Sequence, residues 1–318
     1  MTSKTSLIFG CNGQDGSLIS KSLLDKNYKV IGVSRQGQDT STNHSLLGID
    51  KDIETAKGDI KNFNLVQNLI AKYQPDEIYN LAAQSSVGVS FKEPIITAES
   101  IINGTINILE ASRKLQFDGR IFFAGSSEMF GETKTAADIN HIHKPNNPYS
   151  IGKQTSYQLV KFYRTTYNLK CVTGVLFNHE STLRKENFVT QKIISGAIKC
   201  FKTKTHVLKL GNLDISRDWG WAEEYVEAMQ IIARADSLKD HVICTGKSTK
   251  LKEFIQIVFN KLNMNWEDHV TYNKDLYRDT DIKTSFGNPK PLEEDLNWKA
   301  KVSLRECINK LIDYKFKH

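Results

Sequence analysis

Short apolar runs alternate with amphipathic stretches through the first half of the chain. Ser6-Leu7-Ile8-Phe9 has the length and apolarity of a buried strand. Leu18, Ile19, Leu23 and Leu24 follow at helical spacing. Lys29-Val30-Ile31-Gly32-Val33 predicts a second strand, and a short third strand precedes Gly58-Asp59-Ile60. Phe63, Leu65, Val66, Leu69 and Ile70 mark a helix, and Glu77-Ile78-Tyr79-Asn80-Leu81 a fourth strand. Residues 96–115 read as one long helix, 120–124 as a strand, 149–166 as a helix and 170–177 as a strand. Strand alternating with helix implies a parallel, doubly wound α/β sheet. Residues 36–53 are polar with little periodicity and read as a long loop or arm.

Beyond residue 177 the alternation loosens. Helices are expected at 188–198, 222–233, 251–262 and 304–314, with short strands at 206–210 and 242–243. We read residues 1–177 as a dinucleotide-binding domain, to which some later elements return. Residues 178–318 read mainly as a smaller, interleaved substrate-binding lobe. With no repeat and no clean linker, two lobes of one unit are expected.

Charge and cysteine usage narrow the partners. The net charge of +7 over 318 residues is spread along the chain, without a basic tail or stripe. That distribution suits an anionic small molecule and argues against nucleic acid. The five cysteines are far apart and form no Cys-x-x-Cys, so neither a disulfide framework nor a zinc site is indicated. His141 and His143 have a metal-like spacing without an evident third ligand, and are expected in a solvated loop. No apolar run approaches membrane-spanning length and no signal peptide is evident, so a cytoplasmic protein is expected.

Candidate chemistry lies at the ends of the predicted strands. The first strand runs into Gly10-Cys11-Asn12-Gly13-Gln14-Asp15-Gly16 and then a helix, the context of a dinucleotide-binding loop in a Rossmann-type fold. Gly10 allows the tight turn, Gly13 lets a pyrophosphate approach, and Gly16 lets helix and strand pack closely. The second strand ends in Ser34-Arg35-Gln36 instead of a carboxylate, which favours the 2′-phosphate of NADP. Ala82-Ala83-Gln84-Ser85 ends the fourth strand with small residues, and Ser126-Ser127-Glu128 follows the fifth. Tyr149 and Lys153 are four apart and share a helical face. A Lys beside a Tyr favours the phenolate, which makes Tyr149 a candidate base near neutral pH. Glu128 supplies a carboxylate able to move a second proton. In a doubly wound sheet these strand ends form one site.

These motifs resemble the extended short-chain dehydrogenase/reductase superfamily, and within it most closely the GDP-mannose 4,6-dehydratases. The resemblance covers nearly the whole chain. Its more specific marks are Asn178-His179-Glu180-Ser181 and Arg217-Asp218-Trp219-Gly220, supported by Phe188-Val189-Thr190 and Leu210-Gly211-Asn212-Leu213-Asp214. It implies that Tyr149, assisted by Lys153, takes the proton from the hydroxyl on carbon 4 of the hexose as hydride leaves for NADP. Ser126 would hold that oxygen. Glu128 would take the proton on carbon 5 and help the carbon 6 hydroxyl leave as water. The resemblance implies that Gly10, Gly13, Gln14, Asp15, Gly16, Ser34, Arg35, Asp59, Ile60, Leu81, Ala83, Ser85, Tyr149, Lys153 and His179 line the cofactor. It implies that Ser85, Asn178, Val189, Lys192, Arg217, Arg278 and Asp281 hold a GDP-sugar. Trp219 and Trp221 are expected to pack the lobe.

The chain departs from the family's pattern at Gln36, Gln191, Asp279 and Asp281, and the arm after Arg35 is short. A homodimer packed through the helices beginning near Ile96 and Tyr149, or a homotetramer, is implied. A reductase or epimerase of a nucleotide keto-sugar is the alternative activity, and a cofactor-binding sensor the alternative class.

Overall fold

The computed structural model describes residues 3–37, 42–203, 205–273 and 281–317. Seven strands form one parallel sheet: β1 (Thr5–Phe9), β2 (Lys29–Ser34), β3 (Glu54–Lys57), β4 (Glu77–Asn80), β5 (Arg120–Ser126), β6 (Cys171–Leu176) and, much later in the chain, β11 (His241–Ile243). Their order is β11-β6-β5-β4-β1-β2-β3. Chain order reverses between β1 and β4, which opens a cleft at their carboxyl ends. The central strands are buried on both sides because both faces are covered; every residue of β4 and β6 is buried.

One face carries α1 (Gln14–Leu24) and later elements that return to the sheet. The other carries α3 (Phe63–Tyr73), α6 (Gly104–Lys114) and α7 (Pro148–Tyr167). Ile19, Leu23, Tyr225, Val226, Met229 and Ile232 fill the first core. Val66, Leu69, Ile70, Ile108, Leu109 and Val160 fill the second. Two short helices precede these packed ones, α2 (Thr42–Leu46) after β2 and α4 (Val87–Lys92) after β4. The long helix expected over 96–115 is a composite. Helix α5 (Pro94–Ala98) passes through a π turn, Glu99–Asn103, into α6. In that turn Ile101 packs against Gly152 of α7, and the Ser156 hydroxyl donates to the Ile101 carbonyl at 3.1 Å. A widened turn fits where a neighbouring helix supplies a backbone partner.

The C-terminal half adds β7 (Asn178–Glu180), α8 (Val189–Thr203), β8 (Leu208–Leu210), β9 (Ser216–Arg217), β10 (Trp219–Trp221), α9 (Ala222–Arg234), β12 (Thr249–Lys250), α10 (Leu251–Lys261), β13 (Val270–Tyr272), β14 (Thr284–Ser285), α11 (Lys290–Leu296) and α12 (Leu304–Lys317); of these α9 and α11 return to the sheet's first core, and the others build the C-terminal lobe. Ile193, Ala197, Phe254, Phe259, Ile308 and Leu311 make its core. Trp219 and Trp221 are buried in that core, and Trp219 lies 5.2 Å from Phe254, centroid to centroid. The short strands tie the lobe to the sheet's carboxyl ends: β7 pairs with β10, while β9 pairs with β12 and β14.

One expectation is corrected. The polar stretch after Arg35 does not run out as a free arm in its described part. Asn43 in α2 donates to the Asn12 carbonyl at 3.1 Å, and His44 bonds the Cys11 carbonyl at 2.9 Å, so the segment folds back on the glycine loop. His141 and His143 lie in a loop, as expected, with Ile142 between them exposed; their half-buried rings also pack edge-on against the buried Phe130 at 5.7 and 5.3 Å.

Candidate active site

The glycine loop is shaped by backbone sterics. Gly10 sits at φ +86°, and a Cβ there would come within 2.7 Å of the Ala82 nitrogen. A Cβ on Gly16 would lie 2.1 Å from the Gly10 oxygen, so that position is closed to any side chain. At Gly13 a Cβ would meet only the Gly10 oxygen, at 3.4 Å, so the space there is open. Gly13 is also the N-cap of α1, and no side chain caps that terminus. Free N–H groups, a favourable helix dipole and open space fit an anionic pyrophosphate.

Next to the loop is a charged pair. His179 Nε2 lies 3.0 Å from both oxygens of Asp15, and His179 Nδ1 lies 2.7 Å from the Phe177 carbonyl. Both ring nitrogens face acceptors, which makes His179 an imidazolium. Burial opposes its charge, but Asp15 outweighs burial and raises the pKa. Burial likewise opposes the Asp15 carboxylate. The charge of His179, its hydrogen bond, the Gln14 amide and Arg184 bring Asp15 down to about 2. Tyr225 stacks on the imidazole at 4.7 Å. His179 thus reaches the glycine loop through Asp15, tying β7 to α1.

The catalytic candidates converge from two elements. Strand β5 ends at Ser126, whose hydroxyl accepts the Glu128 N–H at 3.3 Å and starts the 3-10 turn Ser127–Phe130. Helix α7 starts at Asn147 with a capping box and Pro148 in the first position. Tyr149 and Lys153 follow, both buried. Tyr149 feels the charge of Glu128 and is hydrogen-bonded to Ser126. Lys153 Nζ lies 5.8 Å from the Tyr149 ring centroid and donates to the Ala124 carbonyl at 2.7 Å. Ser126, Glu128, Tyr149 and Lys153 are therefore together.

The expected phenolate is corrected. Burial pushes Tyr149 up to about 12, and the Ser126 hydrogen bond offsets only part of this. Burial also brings Lys153 down to about 8, against the pull of Asp15. With its ammonium engaged by Ala124, Lys153 does not overcome the desolvation of the phenol. Tyr149 rests as a neutral phenol beside a cation that is easily deprotonated.

The remaining candidates ring this centre unevenly. Ser34 is half-buried, with its hydroxyl accepting from the Gly37 N–H at 3.1 Å, and Arg35 is exposed. Ile60 packs under Gly104, and its carbonyl accepts from Asn107 at 3.0 Å, which fixes Asp59-Ile60 on α6. Leu81 and Ala83 are half-buried and Ser85 is exposed at the end of β4. Asn178 is half-buried on β7 at the register of Trp219. On α8, Val189 is exposed and Lys192 half-buried. Arg217 is buried and donates to the carbonyls of Ser216 and Ile282 at 2.9 and 2.7 Å, beside the half-buried Asp281. Arg278 and Asp279 lie outside the described residues.

Three site neighbours have no role assigned from the sequence. Arg184 influences Asp15, His179 and Tyr149, and its Nε lies 3.8 Å from the buried Glu180. Asp218 accepts from Thr245 N and Oγ1 at 2.9 and 2.6 Å and from Gly246 N at 2.8 Å, which clamps the Arg217 strand to the loop after β11. Asn147 donates to Glu128 Oε2 at 3.4 Å. Its signal was present: Asn followed by Pro marks a helix start.

Comparison with known proteins gives the family. Residues 7–311 match the family model described as GDP-mannose 4,6 dehydratase. GDP-mannose 4,6 dehydratase 1 of Arabidopsis thaliana is 37% identical over 324 residues, covering 98% of this chain and 89% of the relative. GDP-mannose 4,6 dehydratase 2 of Caenorhabditis elegans is 34% identical, covering 97% and 88%. Among solved structures, a dTDP-glucose 4,6-dehydratase of Streptomyces venezuelae with NAD bound superposes with a TM-score of 0.88, covering 98% of this chain and 97% of that one at 18% identity. That likeness establishes the fold. The chain belongs to the GDP-mannose 4,6-dehydratase family of hydro-lyases.

Proposed function

We propose that this protein dehydrates GDP-mannose, or a close GDP-sugar, to the 4-keto-6-deoxy nucleotide sugar, using a tightly held NADP. The observation that carries the reading is the meeting of Glu128 with Ser126, Tyr149 and Lys153 at the carboxyl end of β5. Hydride chemistry at an alcohol needs only the last three; a facing carboxylate serves an elimination. A nicotinamide cofactor suits the open, uncapped N-terminus of α1. Ser34-Arg35 at the end of β2 favours NADP over NAD, since no carboxylate there repels a 2′-phosphate. When bound, the nicotinamide supplies a reversible hydride acceptor.

Each residue then has one task. The Ser126 hydroxyl orients the oxygen on carbon 4, and Tyr149 takes its proton as its own phenolic proton passes to the unprotonated fraction of Lys153. Lys153, with a pKa brought down to about 8, hands protons on readily at neutral pH. Glu128 removes the proton made acidic by the new ketone and delivers it to the departing carbon 6 hydroxyl. Carbon 6 then recovers the hydride taken from carbon 4, carbon 5 takes the proton held since the first step, and the net change is loss of one water. Gly10, Gly13, Gln14, Asp15 and Gly16 cradle the pyrophosphate, with His179 and Asp15 bracing the loop. Asp59, Ile60, Leu81 and Ala83 flank the rest of the cofactor. Ser85, Asn178, Val189, Lys192, Arg217, Arg278 and Asp281 hold the nucleotide sugar, the cations facing its diphosphate. Residues 1–177 thereby serve mainly the cofactor and 178–318 mainly the substrate.

The same reading makes the protein a cytoplasmic homo-oligomer. Among the described residues no helix is long and apolar enough to cross a membrane. Ile95, Ile96 and Ile106 on α5 and α6, with Ile151 and Phe162 on α7, are exposed at 72, 46, 36, 49 and 48%. A second copy packing on these helices covers them, and neither nucleic acid nor a membrane is assigned as a partner. The test is incubation with GDP-mannose and NADP. The expected product is the 4-keto-6-deoxy sugar with no net NADPH, and Glu128→Gln lowers its rate by roughly 10²–10⁴-fold. Net consumption of NADPH with a keto-sugar, or a fully active Glu128→Gln, favours the reductase or epimerase alternative.

A further inference from the structure

Glu128 and the Tyr149–Lys153 pair lie on different elements, and one side chain touches both. Asn147 is 2% exposed. Its Oδ1 accepts the Ser150 N–H at 2.9 Å, which starts α7, and the Ser150 hydroxyl accepts the Asn147 N–H at 3.1 Å. Because Oδ1 is committed to the cap, the amide orientation is fixed and Nδ2 points away from the helix. There it donates to the Asn146 side-chain oxygen at 3.0 Å and to Glu128 Oε2 at 3.4 Å. Tyr149 is two residues along the helix that this cap begins.

The chemistry of the two ends differs. Any good N-cap oxygen can begin α7, and Asn, Asp and Ser are nearly equivalent there. Only a side chain that also carries a donor can face a carboxylate in the same position. The length of the Glu128 bond means guidance without a tight clamp, which leaves the carboxylate able to take a proton and release it. We propose that Asn147 is a positioning residue for Glu128, its amide setting the elimination carboxylate and the Tyr149–Lys153 helix in one register. The inference rests on the dehydratase reading for its catalytic meaning, but its physical content concerns the resting protein.

That separation shapes the test. Asn147→Asp keeps a helix cap, removes the donor and sets a negative charge against Glu128; Asn147→Ser keeps a cap on a shorter side chain, whose hydroxyl no longer spans the distance to Glu128. The readout is the titration of the Glu128 carboxyl, followed by carbon NMR of protein labelled in glutamate carboxyls, with Glu128→Gln assigning the signal. Tyr149 is the titratable group facing Glu128 from α7, and as a neutral phenol it stays protonated throughout. His141 and His143, packed on Phe130, are common to all variants. The expected result is an upward shift of about one pH unit in Asn147→Asp, a smaller upward shift in Asn147→Ser, and little change in unfolding temperature. In turnover, the acid limb of the rate profile moves up with it, while binding of the nucleotide sugar changes little. Glu128 titrations that superimpose in wild type and Asn147→Ser overturn the proposal, even where Asn147→Asp folds poorly. Failure to dehydrate GDP-mannose refutes the substrate instead and leaves the titration to decide the role of Asn147.

Discussion

The Asp15–His179 pair offers a direct physical test of how the glycine loop is held. Asp15→Asn keeps the shape and one acceptor but removes the charge. The carboxyl pKa falls from 3.8 to about 2 in the folded protein. Near 1.36 kcal/mol per unit, that is about 2.5 kcal/mol. The Asp15 side chain is 22% exposed, so a net loss of roughly 2 kcal/mol is expected after solvent screening. For a chain of 318 residues, that lowers the unfolding temperature by roughly 3 °C. The pH dependence follows from the signs. The lowered Asp15 pKa contributes stability above its unfolded value, and this is lost as pH falls from about 4 towards 2. The raised His179 pKa contributes stability below about 6.5, lost as pH rises through its folded value. The gap between wild type and Asp15→Asn is therefore widest between about pH 4 and 6.5. Scanning calorimetry of both proteins without cofactor, from mildly acidic to alkaline buffers, measures it. A gap that is absent near pH 5.5, or constant into the alkaline range, refutes the imidazolium–carboxylate account.

Other outcomes follow from the same geometry. Gly16→Ala forces a Cβ to within 2.1 Å of the Gly10 oxygen and 2.7 Å of the Cys11 Cα, both backbone atoms. It should cost about 1–3 kcal/mol and abolish cofactor binding by calorimetric titration, whereas Gly13→Ala leaves the fold's stability nearly intact. Lys153→Met should yield an inactive but more stable protein at pH 7. Lys153 is 6% exposed with its pKa brought down from 10.5 to about 8. Its charged form thus opposes folding by about 3 kcal/mol at neutral pH, a cost that fades as pH rises from about 8 to 10.5. Chemical denaturation at both ends of that range reads the difference. Ile95→Lys, at the most exposed of the apolar positions on α5, α6 and α7, should shift sedimentation towards the monomer.

The sheet was legible where its strands are buried on both faces and read as apolar runs; Ile121-Phe122-Phe123-Ala124 of β5 is the clearest case. The glycine loop was legible because Gly10 and Gly16 are required by backbone contacts that no other residue tolerates. The small strands β7, β9, β10, β12 and β14 were not. They have two or three residues each, too few for any periodicity, and pair only because the lobe brings them together. The π turn at Glu99–Asn103 was hidden for the same reason, since its extra residue answers to contacts with α7 that lie far along the chain. In the site, residue identities were readable but protonation was not. Tyr-x-x-x-Lys suggested a phenolate, whereas burial of Tyr149 and the bond from Lys153 to Ala124 decide for the phenol. Asp15, read as a cofactor residue, gained its partner only when β7 placed His179 against α1.

The central claim is that oxidation at carbon 4 is the first half of a dehydration at one site. GDP-mannose carrying deuterium on carbon 4 tests it most directly, with the product read by mass spectrometry and NMR. Deuterium recovered on carbon 6 of the 4-keto-6-deoxy sugar, with no net change in the nicotinamide absorbance, is the predicted result. Deuterium left in reduced cofactor, or a 4-keto sugar that keeps its carbon 6 hydroxyl, would contradict it.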